Sequence, residues 1–225
     1  DVDGYISVTS SVNHPSIRDT RFANMKAKDA IVDRMKQVYG RRPDSGPARD
    51  RTVVFLYWHD DTFSIYLDTS GEPLTKRGYR KIPLKAPMQE ALAAAVISAT
   101  GWDLNKPFVN PMCGSGTLGI EAALMAVNKA PGLTRDNFGF QHIKGFTREH
   151  FNVLCDSLKQ DIKETLPNKI ILSDRDSRAV EAAEKNAIAA GVDHLLQFHV
   201  CDFAETPVPP GNGCIVFNPG YGMRL

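Results

Sequence analysis

Residues 108–127 read FVNPMCGSGTLGIEAALMAV. The spacing predicts a short strand over Phe108 to Pro111 and a helix over Thr117 to Val127, joined by a turn that contains Gly114 and Gly116. Glycine at those two positions lets the backbone turn sharply and approach a ligand where a Cβ would clash. A ligand bound there sits at the carboxyl end of a strand and beside a helix N-terminus. The spacing is not G-x-x-x-x-G-K-S/T, and no lysine stands ready to neutralise a triphosphate, which disfavours an ATPase.

Outward from this turn, strands and helices alternate. A helix over 88–100 precedes it, and a long helix around Arg148 to Leu166 follows. Strand Ile170 to Ser173, helix Ser177 to Ala190 closed by Gly191, strand Leu196 to Val200 and strand Cys214 to Phe217 complete the series. Strands separated by helices imply right-handed crossovers and a parallel, doubly wound sheet.

Each strand of that series ends on residues able to recognise a ligand. Asp174, in Ser173-Asp174-Arg175-Asp176, is placed to accept hydrogen bonds from the two hydroxyls of a ribose, while Asp176 reads as a helix N-cap. After the third strand, Asp202 can accept an adenine amino group and Phe203 can line a base-binding surface. After the fourth, Asn218 and the carbonyl of Pro219 can together accept both hydrogens of an exocyclic NH2, with Tyr221 stacking on the base. Taken singly, a lone Asp after a strand or an Asn-Pro-Gly stretch is more often a turn. Their order along four successive strands favours a shared site.

Residues 21–39 carry apolar side chains at three- and four-residue steps and predict an amphipathic helix stopped by Gly40. Thr52 to Trp58 and Thr62 to Asp68 predict a hairpin, so a small α+β unit precedes the alternating region. Between them, residues 69–87 read as a connector rich in Gly, Pro and basic residues. Lys76, Arg77, Arg80, Lys81 and Lys85, with Tyr79 among them, are candidates for phosphate contacts and base stacking, or else a solvated linker.

The 225 residues carry a formal net charge of +1, so binding of a nucleic acid must rest on a local patch. A charged fraction of 24% and an apolar fraction of 42% fit a globular chain and exclude disordered and collagen-like classes. The longest apolar run, Ala91 to Ala99, is well short of the ~20 residues needed to cross a bilayer. No signal-peptide pattern opens the chain, so no membrane is expected and a cytoplasmic location is. Cys113, Cys155, Cys201 and Cys214 are far apart without C-x-x-C or zinc-ligand spacing, so neither disulfides nor a metal are expected.

Residues 110–126 (NPMCGSGTLGIEAALMA), 171–192 (ILSDRDSRAVEAAEKNAIAAGV), 200–203 (VCDF) and 217–225 (FNPGYGMRL) resemble the successive motifs of a class I methyltransferase with an N-P-P-Y-type catalytic loop. Residues 21–35 (RFANMKAKDAIVDRM), 66–80 (YLDTSGEPLTKRGYR) and 130–140 (APGLTRDNFGF) are similar, more narrowly, to the bacterial THUMP-containing family that methylates guanine N2 in 23S ribosomal RNA. The resemblance implies part of a THUMP RNA-binding domain over residues 1–70, a basic linker over 71–86, and a Rossmann-like methyltransferase domain over 87–225. That domain is expected to be incomplete after its fourth strand, with further chain or a partner covering the edge.

S-adenosylmethionine is the implied cofactor and ribosomal RNA the implied partner. The family assigns the methionine part of the cofactor to Asn110, Cys113, Gly114, Ser115 and Gly116. It assigns ribose to Asp174, adenine to Asp202 and Phe203, and the target amine to Asn218, Pro219 and Tyr221. Two positions depart from the family pattern. Asn110 replaces the usual Asp and removes a carboxylate facing the cofactor's ammonium, and Gly220 replaces a second Pro and loosens the catalytic loop. The same chemistry would also serve tRNA guanine, DNA adenine or a protein glutamine, and an RNA-binding module without activity is the non-enzymatic alternative.

Overall fold

The computed structural model describes residues 3–84 and 87–220. The chain divides into two compact units, one formed by Asp1–Pro73 with Asp136–Phe151, the other by Leu74–Arg135 with Asn152–Leu225.

In the first unit, strand β1 (Tyr5–Asn13) is followed by helix α1 (Thr20–Tyr39) and the short strand β2 (Asp44–Ser45). Strands β3 (Thr52–His59) and β4 (Thr62–Asp68) complete the sheet, in the order β2-β1-β3-β4. The Asp19 side chain accepts from Arg21 N at 2.9 Å and starts α1. Gly40, at φ 80°, ends it as expected, its N–H reaching Lys36 O at 2.8 Å. β3 and β4 pair antiparallel from Val53↔Asp68 to His59↔Thr62, a hairpin with a two-residue turn in which Asp60 takes φ 49°. β1, absent from the sequence-based expectation, runs parallel to both of its neighbours.

Residues 136–151 join this unit by backbone and ring contacts. Phe140 N donates to Thr69 O at 2.9 Å, and Asn137 Nδ2 donates to Asp50 O at 2.8 Å. Phe138, Phe140 and Phe151 pack with centroids 5.2 to 6.1 Å apart.

The second unit contains α2 (Glu90–Ala99), β5 (Phe108–Asn110) and α3 (Thr117–Ala126). Helix α4 (Arg148–Gln160) leads into β6 (Ile170–Asp174), followed by α5 (Ser177–Ala190), β7 (Leu196–Val200) and β8 (Cys214–Ile215). The four strands are parallel, in the order β7-β6-β5-β8. The expected α/β architecture is therefore present, with boundaries differing by a few residues; α4 ends at Gln160, not Leu166.

From β5 the chain steps outward to β6 and β7, then returns to the other side of β5 as β8. The reversal opens a crevice above the carboxyl ends of β5 and β8, the usual ligand position in open parallel sheets. Nine of the ten residues of α3 are buried, so this helix lies in the core and carries the turn before it into a fixed position. Gly119 makes the close approach possible, since a Cβ there would meet the Leu172 side chain on β6 at 2.6 Å.

Candidate active site at the carboxyl rim of the sheet

Asp174 ends β6, Gly114, Asp202 and Asn218 follow β5, β7 and β8, and all four lie on one rim. A cleft of about 180 Å³ is lined by Met112, Cys113, Gly114 and Ser115 from the turn after β5 and by Asn218, Pro219 and Gly220 from the loop after β8. Leu84, Pro87 and Met88 form a further wall. Among the residues assigned to the cofactor's methionine part, Cys113, Gly114 and Ser115 thus face the same space as Asn218 and Pro219. Tyr221 lies outside the described residues.

The two glycines of the turn differ in what they allow. Gly114 takes φ 55° with open space where a Cβ would point. Gly116 takes φ 84°, and a Cβ on it would meet the Ala183 Cβ at 2.8 Å, so it seats α3 against α5. Gly114 is free to meet a ligand, whereas Gly116 is committed to packing.

Asn110 is fully buried. Its Nδ2 donates to Val216 O at 2.8 Å, with Pro111 O at 3.4 Å, so the amide is oriented by two carbonyls and joins the end of β5 to the end of β8. Its Oδ1 is buried without a hydrogen-bond donor. An unsatisfied buried acceptor costs free energy until a donor arrives, and an ammonium group would supply one.

Asp174 holds the rim together while remaining a ribose candidate. Its Oδ2 accepts from Gly114 N at 2.9 Å and its Oδ1 from Asp176 N at 3.0 Å, and each carboxylate oxygen keeps capacity for a further donor. Burial, reinforced by the charge of Asp174, pushes the Cys113 thiol well above the ordinary range, so Cys113 is a protonated lining group and not a nucleophile. Asp202 stands beyond Asp174 on the rim, and Cys201 N donates to Asp174 O at 3.1 Å. Asp202 caps a short 3-10 turn through Ala204 N, and Phe203 is 62% exposed, outside the lining of the 180 Å³ cleft.

Asn110 Oδ1, the Asp174 carboxylate and the Asp202–Phe203 surface offer the chemistry that a cationic amine, a diol and an aromatic amine need, while of the residues assigned to the cofactor Cys113, Gly114 and Ser115 line the cleft and Asn110, Gly116, Asp174, Asp202 and Phe203 do not. The residues present therefore fit S-adenosylmethionine. Among the described residues no group of His, Cys, Asp or Glu is arranged to hold a metal.

The basic segment differs from expectation. Tyr79 is 1% exposed, and its hydroxyl donates to Glu121 Oε1 at 2.9 Å, so its ring cannot stack on a base. Arg77 Nε lies 3.6 Å from the same carboxylate oxygen, and Arg80 Nη2 donates to Met88 O and to Thr117 Oγ1 at 3.1 Å, with Glu90 Oε1 at 3.5 Å. Arg77 and Arg80 therefore serve acids of the two neighbouring helices, because a carboxylate buried on α2 or α3 needs a cation. Lys76 and Lys81 are exposed, and Lys85 lies outside the described residues.

Sequence reasoning gave no role to Glu121 or Asn186. Both stand as single polar residues on apolar helix faces, Glu121 within TLGIEAALMA and Asn186 among Ala179, Ala182, Ala183, Ala187 and Ala190. A polar residue so placed must find a partner, and that was the available signal.

A doubly wound parallel sheet, with a glycine turn, a strand-end carboxylate and an amide-proline pair along its carboxyl rim, is the framework of a class I methyltransferase domain. The chain belongs to that class through a particular family, UPF0020, the RMKL-like methyltransferase domain, whose family model matches residues 77–225. A ribosomal RNA large subunit methyltransferase K/L from Psychromonas ingrahamii is 41% identical over 233 aligned positions that cover all of this chain.

Two solved structures superpose over the whole chain. A protein provisionally described as a methyltransferase, complexed with SAH, has a TM-score of 0.83 at 29% identity. A protein described on prediction as an N6-adenine-specific DNA methylase from Listeria monocytogenes has a TM-score of 0.82 at 31% identity. The chain spans 31% of the length of the Psychromonas relative and 59% of each solved chain. No helix among the described residues is long and apolar enough to cross a membrane.

Proposed function

We propose that the chain is part of a cytoplasmic enzyme that transfers a methyl group from S-adenosylmethionine to the exocyclic N2 amine of a guanine in 23S ribosomal RNA. The observation that carries this reading is the shared cleft, in which Asn218 and Pro219 face Gly114 and Ser115 across the switch point of the sheet. The 41% identity to a large-subunit rRNA methyltransferase supports the choice of substrate.

The bound cofactor supplies an electrophilic methyl on sulfonium. The lone pair of guanine N2 is delocalised into the ring and is a poor nucleophile. When Asn218 Oδ1 and Pro219 O each accept one N–H, the nitrogen is held and its lone pair turns out of the ring plane toward the methyl. The N–CH3 bond forms as the C–S bond breaks, and the nitrogen loses one proton to solvent. No strong general base is needed, in keeping with a cleft whose thiol stays protonated. A guanine paired in a duplex must first be flipped out.

We assign residues 1–70 to part of a THUMP domain, 71–86 to a connector whose exposed Lys76 and Lys81 meet phosphates, and 87–225 to the catalytic domain. Residues 136–151, although inside the 87–225 range, pack with Asp1–Pro73 and are set apart from the catalytic domain. The reading is tested by incubating the protein with methyl-labelled cofactor and 23S rRNA, tRNA or duplex DNA, followed by nucleoside analysis. Label in N2-methylguanosine from 23S rRNA is expected. Label in N6-methyladenine from DNA would replace the substrate, and cofactor binding without any transfer would leave an RNA-binding module.

A further inference from the structure

We infer that Asn186 and Arg80 form a two-point latch that holds one wall of the cofactor cleft, making both of them positioning residues for cofactor binding. The inference rests on reading that cleft as the cofactor site.

Asn186 is 1% exposed, and its amide is used at every position. Oδ1 accepts from Lys81 N at 2.8 Å and Ile82 N at 3.0 Å, while Nδ2 donates to Ile82 O and to Ser115 O, both at 3.1 Å. A single side chain on α5 therefore binds the backbone of residues 81–82 to the backbone of the glycine turn. Neither Lys81 nor Ile82 lies in a helix or strand, so these backbone groups draw their partners from the side chain. A leucine would suit the alanine face of α5 but would leave four polar groups without partners.

Arg80 makes the second attachment. Its Nη2 reaches Met88 O and the Thr117 hydroxyl, and Glu90 stands at ion-pair distance. Thr117 is the first residue of α3, the helix whose N-terminus abuts the cleft. Between and beside these two attachments lie Leu84, Pro87 and Met88, which line the cleft together with the turn after β5 and the loop after β8. Neither Arg80 nor Asn186 lines the cleft. Their effect must pass through the wall they hold, and so falls on cofactor affinity and not on the target amine.

The test measures cofactor binding by calorimetry, steady-state constants, and amide exchange at residues 81 and 82, for the wild type, Asn186→Ala and Arg80→Lys. Both variants should raise cofactor Kd and KM about tenfold, equivalent to about 1.4 kcal/mol, with kcat and the KM for RNA unchanged. Amides 81 and 82 should exchange faster in Asn186→Ala. A folded Asn186→Ala protein with wild-type cofactor Kd overturns the latch. If that variant does not fold, Arg80→Lys decides in the same way, because it keeps a charge near Glu90 but removes the Nη2 donor that joins Met88 O to Thr117. A wild-type protein that binds no cofactor overturns the reading of the cleft instead.

Discussion

Replacing Gly114 and Gly116 one at a time by Ala separates ligand space from packing, because both glycines adopt left-handed backbone. The two substitutions share a conformational cost of roughly 1–2 kcal/mol. Gly116→Ala adds an overlap with the Ala183 Cβ at 2.8 Å, its Cα at 3.2 Å and Ile120 Cδ1 at 3.3 Å. Ala183 sits on a core helix and cannot swing aside, so α3 and α5 must part. Overpacking of this kind costs about 1–3 kcal/mol. At about 2–4 °C per kcal/mol for a domain of this size, Gly116→Ala should melt about 4–8 °C below Gly114→Ala for a midrange overlap.

Gly114→Ala meets no protein atom within 4 Å, so its added methyl enters the space proposed for the cofactor. It should therefore lower cofactor affinity at least tenfold, which is about 1.4 kcal/mol, while its melting temperature changes little beyond the shared cost. Differential scanning calorimetry and cofactor titration of both variants read the two effects. Equal melting temperatures would refute the packing role of Gly116. Wild-type cofactor affinity in Gly114→Ala would refute the placement of the cofactor against the turn.

Asn218→Ala should abolish methyl transfer and leave cofactor affinity near wild type if its amide holds the target amine as proposed; equal loss of both would make Asn218 structural. Lys76→Ala with Lys81→Ala should weaken RNA binding and flatten its salt dependence, by about one unit of slope for each phosphate no longer neutralised, as read by filter binding across a salt series. An unchanged slope would reduce the segment to a spacer. Burial raises the pKa of Glu121 above its ordinary 4.5, against the lowering effects of Arg77 and Tyr79, so the folded state binds the proton more tightly than the unfolded one. Its contribution to stability is then greatest below pH 4.5 and declines as pH rises through the folded value. Denaturant titrations should show wild type gaining on Glu121→Gln as pH falls toward 4.5; the opposite trend would mean that the ion pair with Arg77 outweighs burial.

The parallel sheet was legible in the sequence because its signals are local. Apolar runs such as Ile170 to Ser173 end on acidic or glycine turns, and Gly40 and Gly191 take the left-handed conformations that stop helices. β1 was not legible, since its alternation is inverted. In YISVTSSVN the fully buried position is Ser7, while Ile6 and Val8 are only half-buried, so a reading by apolar period finds no inward face. Residues 136–151 were illegible for a different reason. Their attachments run to backbone groups of Asp50 and Thr69, about 70 to 90 positions away, and leave no periodic trace. The basic segment failed through distance as well, because the acid that claims Tyr79 lies 42 positions further on.

Asn110 and Gly220 are joined through Val216, just after β8. Asn110 donates one amide hydrogen to Val216 O, two residues before Asn218, so the end of β5 and the loop after β8 are coupled through a single side chain. A carboxylate at position 110 would oppose the Val216 carbonyl oxygen with a second acceptor and lose that coupling, whereas the amide makes it and leaves its Oδ1 without a donor. The amide thereby adds rigidity at the base of the loop after β8. That rigidity matters here because Gly220 leaves the outer part of the same loop with more conformational freedom than a proline would.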